Sequence, residues 1–336
     1  MLTTHSSFAA DTAPPFIAGI NSAGITNREL AVIVNDKDPL SQQITDYYQL
    51  RRAIPPENII HISFKPHRSQ IDPAEFALLK KQVDEKTPKT VQAFALTWAA
   101  PYRVGCMSIS SAFAFGFSES YCASGCKETK KSPYAGSPSR KPFDDFAIRP
   151  TMLIAANSFA DAQQLIDRGI QSDSSLPFNG AAYLVETPDA NRSVRKVFFP
   201  FAEKFIGHDI PIKEIKAKAI YNQNDVMFYF TGDVFVDGIT TNHYLPGAMA
   251  DHLTSTGGQL TDSGQMSALK WLQAGATGSY GTVVEPCNIL GKFPHPIVAI
   301  GIYLKGETLI EAYWKSVLMP GQGVFIGEPL AKPYFH

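Results

Sequence analysis

Asp251 and His252 stand side by side, and further along Glu285 and Cys287 flank Pro286. An imidazole with a carboxylate to orient it is a general base, and a thiol within its reach is a nucleophile. Taken together these residues describe a hydrolase: His252 as base, Asp251 or Glu285 as orienter, and Cys287 attacking, with His295 as a second imidazole for the thiol. Each residue also has a plainer account. A lone histidine among small and apolar residues is a structural hydrogen-bonder. A carboxylate before a proline-fixed turn is suited to holding a cation or an arginine. A disulfide from Cys287 to the Cys106 region needs fewer assumptions than a catalytic thiolate.

A second group consists of polar residues at the ends of apolar runs. Asp36 and Asp38 close the first such run, Arg103 follows the third, and Thr231 and Asp233 follow Val226–Phe230. In open parallel sheets ligands bind beyond the carboxyl ends of strands, so these five are candidate ligand-binding residues. Capping of the helix that Pro39 opens is the simpler account of the two early aspartates. The four cysteines Cys106, Cys122, Cys126 and Cys287 are an even set, which fits two disulfides. A zinc site built from all four is the alternative, although only Cys122 and Cys126 have the close spacing that zinc knuckles use on both sides. There is no G-x-G-x-x-G after the first strand, and no G-x-x-x-x-G-K-[ST], G-x-S-x-G or H-E-x-x-H, so no cofactor is named by a motif.

The elements that would position these residues alternate between short apolar runs and helical periods, the pattern of βα units on a mostly parallel sheet. Strands are expected at 30–34, 58–62, 91–98, 151–156, 181–185, 217–220, 226–230 and 278–284. Helices are expected at 41–52, after Asp72-Pro73, and at 159–168, 192–205, 246–253, 263–274, 296–304 and 308–317. Asp251 and His252 fall on the helix expected at 246–253. From 100 to 150 the pattern gives way to glycine, serine, proline and three cysteines, which reads as an insertion flanking the strand-end site. The organisation expected is a flexible segment over 1–27 and a single α/β domain over 28–336 carrying that insertion. Ser7–Asp11 resembles the small-residue end of an export signal, and a plain tail explains it as well.

The chain has 336 residues, 30 basic and 31 acidic, and a net charge of -1. That balance leaves no electrostatic footprint for nucleic acid. No apolar run approaches the roughly 18 residues of a membrane-spanning helix.

Gly275–Cys287, GATGSYGTVVEPC, and Gly321–Leu330, GQGVFIGEPL, resemble signature blocks of an uncharacterised bacterial protein family. Val34–Ser41 and Pro246–Thr254 resemble its other blocks, so the likeness covers nearly the whole chain after Arg28. A more distant resemblance is to the gingipain-type cysteine peptidases. It implies a caspase-like three-layer sandwich with helices on both faces of the sheet. Those enzymes place His-Gly after one core strand and Cys after the next. Here Thr231-Gly232 stands at the first position, and 246–255 offers no cysteine. The resemblance therefore implies the architecture without the dyad. The resulting expectation is a catalytically divergent binding or scaffold protein, periplasmic or secreted, with a protein or peptide ligand. A hydrolase with a rearranged site around Glu285, Cys287 and His252 is the alternative, a metal-binding protein the third reading, and a cytoplasmic location the alternative for the compartment.

Overall fold

The computed structural model describes residues 24–123, 126–177 and 179–335. In chain order the strands are β1 (Leu30–Asn35), β2 (Ile59–Ile62), β3 (Gln70–Ile71), β4 (Ala93–Leu96), β5 (Arg103–Val104), β6 (Met107–Ser108), β7 (Thr151–Leu153), β8 (Ala181–Glu186), β9 (Ile212–Lys216), β10 (Val226–Gly232), β11 (Tyr244–Leu253), β12 (Gly278–Thr282) and β13 (Gly323–Gly327). The helices are α1 (Pro39–Arg52), α2 (Pro73–Lys86), α3 (Ile109–Phe115), α4 (Pro142–Phe146), α5 (Phe159–Ser172), α6 (Ala202–Ile206), α7 (Leu269–Ala274), α8 (Pro296–Leu304) and α9 (Leu309–Ser316).

Ten strands form one sheet in the order β2-β1-β4-β7-β13-β12-β11-β10-β8-β9. The strands β2, β1, β4 and β7 are parallel to one another, as are β12, β11, β10, β8 and β9. Between the groups, β13 runs antiparallel to β12 and is bridged to β7 through the single pair Ile326–Leu153. The mostly parallel α/β sheet flanked by helices is thus present. Central strands such as β1, LAVIVN, and β10, VMFYFTG, are buried along their whole length, because helices cover both faces. One face carries α1, α5 and α7, and the other α2, α3, α8 and α9 with the 3₁₀ segment Ser193–Phe201.

Local chemistry explains the helix starts. Asp38 caps α1 by accepting the Leu40 N–H at 3.0 Å, Asp72 caps α2 through Ala74, and each helix opens on proline. Thr308 and Glu311 form a reciprocal capping box on α9. Glu311 also accepts the N–H of buried Ile25 at 3.0 Å. Of the segment expected over 1–27, residues 1–23 lie outside the described residues.

Four expectations about elements need correction. Residues 246–253 belong to strand β11, not to a helix. Alanine, methionine and leucine favour helix locally, but pairing with β10 and β12 outweighs that preference. The helix expected over 192–205 is a 3₁₀ segment followed by the short α6, with Pro200 interrupting α-helical bonding. Only Leu269–Ala274 of the helix expected over 263–274 forms. The strand expected at 217–220 lies earlier, at Ile212–Lys216.

Candidate functional site

The segments that leave β4, β11 and β12 meet on one edge of the sheet. Tyr102, beyond β4, donates to Asp262, beyond β11, at 2.5 Å, and Cys287, beyond β12, is disulfide-bonded to Cys126. A cleft of about 370 Å³ opens on this edge, lined by Arg192, Thr254, Ser255, Glu285 and the Cys126–Cys287 bond over Leu253 and Phe293. Its backbone walls approach closely where glycine permits it. A Cβ on Gly232 would collide with the Arg192 carbonyl oxygen, and one on Gly281 with the carbonyl carbon of Gly257.

Arg192 is held from two sides. Its Nε donates to Thr254 Oγ1 at 3.2 Å and its Nη1 pairs with Asp189 at 2.8 Å. The Thr254 hydroxyl donates onward to Gln265 Oε1 at 2.7 Å, which also accepts the Thr256 N–H at 2.9 Å. A guanidinium anchored in this way is pre-organised for a planar acceptor. Glu285 is exposed, and its Oε1 accepts the Cys287 N–H at 2.7 Å, supporting a left-handed backbone at Cys287 with φ of 52°. The ammonium of Lys292 is buried and has no hydrogen-bond partner among the described residues. Burial lowers its pKa, while Glu285 and Glu128 pull in the opposite direction.

Asp251 and His252 are neighbours in β11, so their side chains project to opposite faces of the sheet. Asp251 lies 2.6 Å from Arg195 in an ion contact without hydrogen-bond alignment, both side chains being almost fully buried. Burial pushes Asp251 up to about 6 against the pull of Arg195. Behind the other face, His252 Nδ1 accepts the Trp271 indole N–H at 2.9 Å, and Nε2 lies 3.0 Å from the Met266 carbonyl oxygen. An indole only donates and a carbonyl only accepts, so the proton sits on Nε2. Burial lowers the His252 pKa to about 3, which keeps the ring neutral. With both nitrogens engaged in the core, His252 has no lone pair free to act as a base. It is hydrogen-bonded to neither Asp251 nor Glu285.

Cys287 is bonded to Cys126, and Cys106 to Cys122, each with Cα atoms 5.4 Å apart, a separation that suits a disulfide. The candidate nucleophile is therefore not a thiol in this structure, and the four-thiol zinc reading is not realised. Cys106, Cys122 and Glu119 do converge to within 4.8 Å, but their two sulfurs are joined to each other. His295 stacks on Phe198, with burial lowering its pKa to about 4.

The remaining candidates do not join the cleft. Asp36 pairs with His61 at 2.6 Å on the surface beyond β1, and Asp38 serves as a helix cap. Arg103 lies in β5 of a small sheet with β3 and β6, its Nε buried without a partner among the described residues. Thr231 is buried and its hydroxyl donates to the Val185 carbonyl at 3.3 Å. Asp233 accepts the N–H of Val234 at 2.6 Å. Sequence reasoning misses Arg192, Thr254, Ser255 and Lys292. Arg192 lies beyond the strand Ala181–Val185, whose end is open to the same strand-end argument. Thr254 and Ser255 follow a segment whose composition points to a helix, so that argument does not reach them. A larger depression, about 940 Å³ around Arg28, Glu57, Lys89 and Lys141, lies on another part of the surface and gathers no candidate residue.

No family model and no curated protein matches the chain. Two solved structures are similar to it. The crystal structure of the Arg-specific cysteine proteinase gingipain R (RgpB) shares 12% identity at a TM-score of 0.48, covering 91% of this chain and 78% of that one. The complex of Porphyromonas gingivalis RgpB pro- and mature domains shares 9% at 0.46, covering 90% and 79%. Among the described residues no helix is long and apolar enough to cross a membrane.

Proposed function

We propose that the protein binds a ligand in the strand-end cleft and does not hydrolyse it, as a catalytically divergent α/β scaffold working in the periplasm or outside the cell. The observation that carries this reading is the state of the groups that would have to react. His252 spends both nitrogens on the core, and the Cys287 sulfur is in a disulfide. The polar residues lining the cleft are Arg192, Glu285, the hydroxyl residues Thr254 and Ser255, and the amides Asn191 and Asn288. Such groups recognise a ligand but include no imidazole–thiolate pair to react with it. Two disulfides are in keeping with an oxidising compartment. The 100–150 segment acts in this reading as an insertion that supplies one wall through Cys126.

Three measurements test this. Soaking crystals of the protein with a chemically diverse fragment set should place bound fragments beside Arg192 and Glu285. Incubation with fluorogenic peptide and ester substrates should give no turnover, and intact mass after alkylation should show no free thiol before reduction. Turnover abolished by Cys287→Ala, or a free thiol at Cys287, would restore the hydrolase reading.

A further inference from the structure

The cleft presents unused hydrogen-bonding capacity of both signs. Arg192 is bonded at Nε and Nη1, and its Nη2 has no partner among the described residues. The Ser255 hydroxyl beside it makes no hydrogen bond there either, although its backbone carbonyl accepts from Thr282 at 3.0 Å. Glu285 uses Oε1 on the Cys287 N–H and leaves Oε2 free. Lys292 does not occupy that oxygen, since its ammonium bonds to nothing among the described residues.

We propose that the cleft binds a small zwitterion of the amino-acid or dipeptide type, with its carboxylate on Arg192 Nη2 and the Ser255 hydroxyl and its ammonium on Glu285 Oε2. The inference rests on the binding reading above and deepens it. A guanidinium oriented by Thr254 and Asp189 holds its remaining Nη2 as a fixed charge-assisted donor for one carboxylate oxygen, leaving the Ser255 hydroxyl for the other. A ligand carrying only negative charge, such as a phosphate, meets the Glu285 carboxylate in the same space. A ligand carrying only positive charge meets Arg192. One that carries both charges satisfies each without leaving the other exposed to repulsion. The cleft volume of about 370 Å³ is at the small end for ligand pockets, which suits a compact molecule.

The test is calorimetric titration of the oxidised full chain with the standard L-α-amino acids and glycyl dipeptides. Their N-acetylated and C-amidated derivatives are titrated alongside. At least one free zwitterion should bind with a Kd of about 1 mM or tighter. Blocking either terminus should weaken it about tenfold or more, the scale of one charge-assisted hydrogen bond. Glu285→Gln, which can still accept the Cys287 N–H, should remove the penalty for acetylation. Arg192→Gln should remove the penalty for amidation. If that variant does not fold, Arg192→Lys, keeping charge without the planar guanidinium that Thr254 and Asp189 anchor, should weaken the free ligand severalfold. Absence of binding by every probe, or binding indifferent to blocking and to both variants, would overturn the proposal. Fragments seated in the cleft without any amino-carboxylate preference would overturn it while leaving the binding reading intact. A cleft empty in both experiments would end both.

Discussion

His252 shows how far a side chain's type is from its role. Its ring is fixed between Trp271 and Met266 and its pKa is lowered to about 3 from an ordinary 6.5. A histidine whose folded pKa is depressed contributes stability that is present above the unfolded value. That stability is lost as pH falls through the folded one. Acidification from about pH 6.5 toward 3 should therefore cost stability on the order of 5 kcal/mol from this residue alone. Asp251 works in the opposite sense. Its folded pKa is raised to about 6 from 3.8, so its contribution is present below pH 3.8 and is lost as pH rises through 6. Urea denaturation across this range should show the acid limb flattened in His252→Gln and steepened in Asp251→Asn, each relative to the parent protein. A His252 nitrogen spectrum at neutral pH should show the Nε2–H tautomer, and an Nδ1–H signal would contradict the assignment. Both residue types are legible in the sequence as candidates. The sheet face each takes is not, because the composition of 246–253 points to a helix.

At the scale of elements, the cleft exists because backbones come together without side chains between them. Gly232 ends β10 against the carbonyl of Arg192. Gly232→Ala should cost about 1–3 kcal/mol by denaturant unfolding, the usual penalty for forcing a methyl into packed space. It should also displace the turn that carries Arg192 in a crystal structure of the variant. The control is Gly264→Ala, where an added methyl would meet nothing within 4 Å. Its stability should stay within about 0.5 kcal/mol of the parent, as for most surface substitutions. The caps at Asp38 and Asp72 are legible because proline and aspartate at those spacings act locally. The identity of β11 is not, since Ala248–Leu253 has the composition of a helix and only its neighbours β10 and β12 make it a strand.

Across the whole molecule, Glu328 ties the entering ends of the elements together. It accepts from Tyr48 at 2.6 Å and pairs with Arg52, which also reaches Asp173, while its N–H donates to the Thr277 carbonyl at 3.1 Å. The segments entering β2, β8 and β12 thus meet around Glu328, the first through its carboxylate, the second through Arg52 and the third through its backbone N–H. Glu328→Ala leaves the Tyr48 hydroxyl and much of the Arg52 charge unpaired in the interior. It should cost about 3–5 kcal/mol in denaturant unfolding. An effect below about 1 kcal/mol would show that the junction is not held by this residue. The Cys126–Cys287 bond spans 161 residues and constrains the unfolded chain over a similar range. Replacing both of its cysteines with serine should cost about 2–5 kcal/mol in the same measurement.

By itself the sequence determined the class of fold, because alternating apolar runs and helical periods leave little choice but helices layered on a mostly parallel sheet. It determined most helix starts and the even count of cysteines. Tertiary structure alone decided which sulfurs pair, since Cys126 and Cys287 meet only when the 100–150 segment folds over the end of β12. It also decided that His252 is spent on the core while Arg192 faces the cleft. Those outcomes depend on which residues become neighbours across strands distant in sequence, and no local period carries that information.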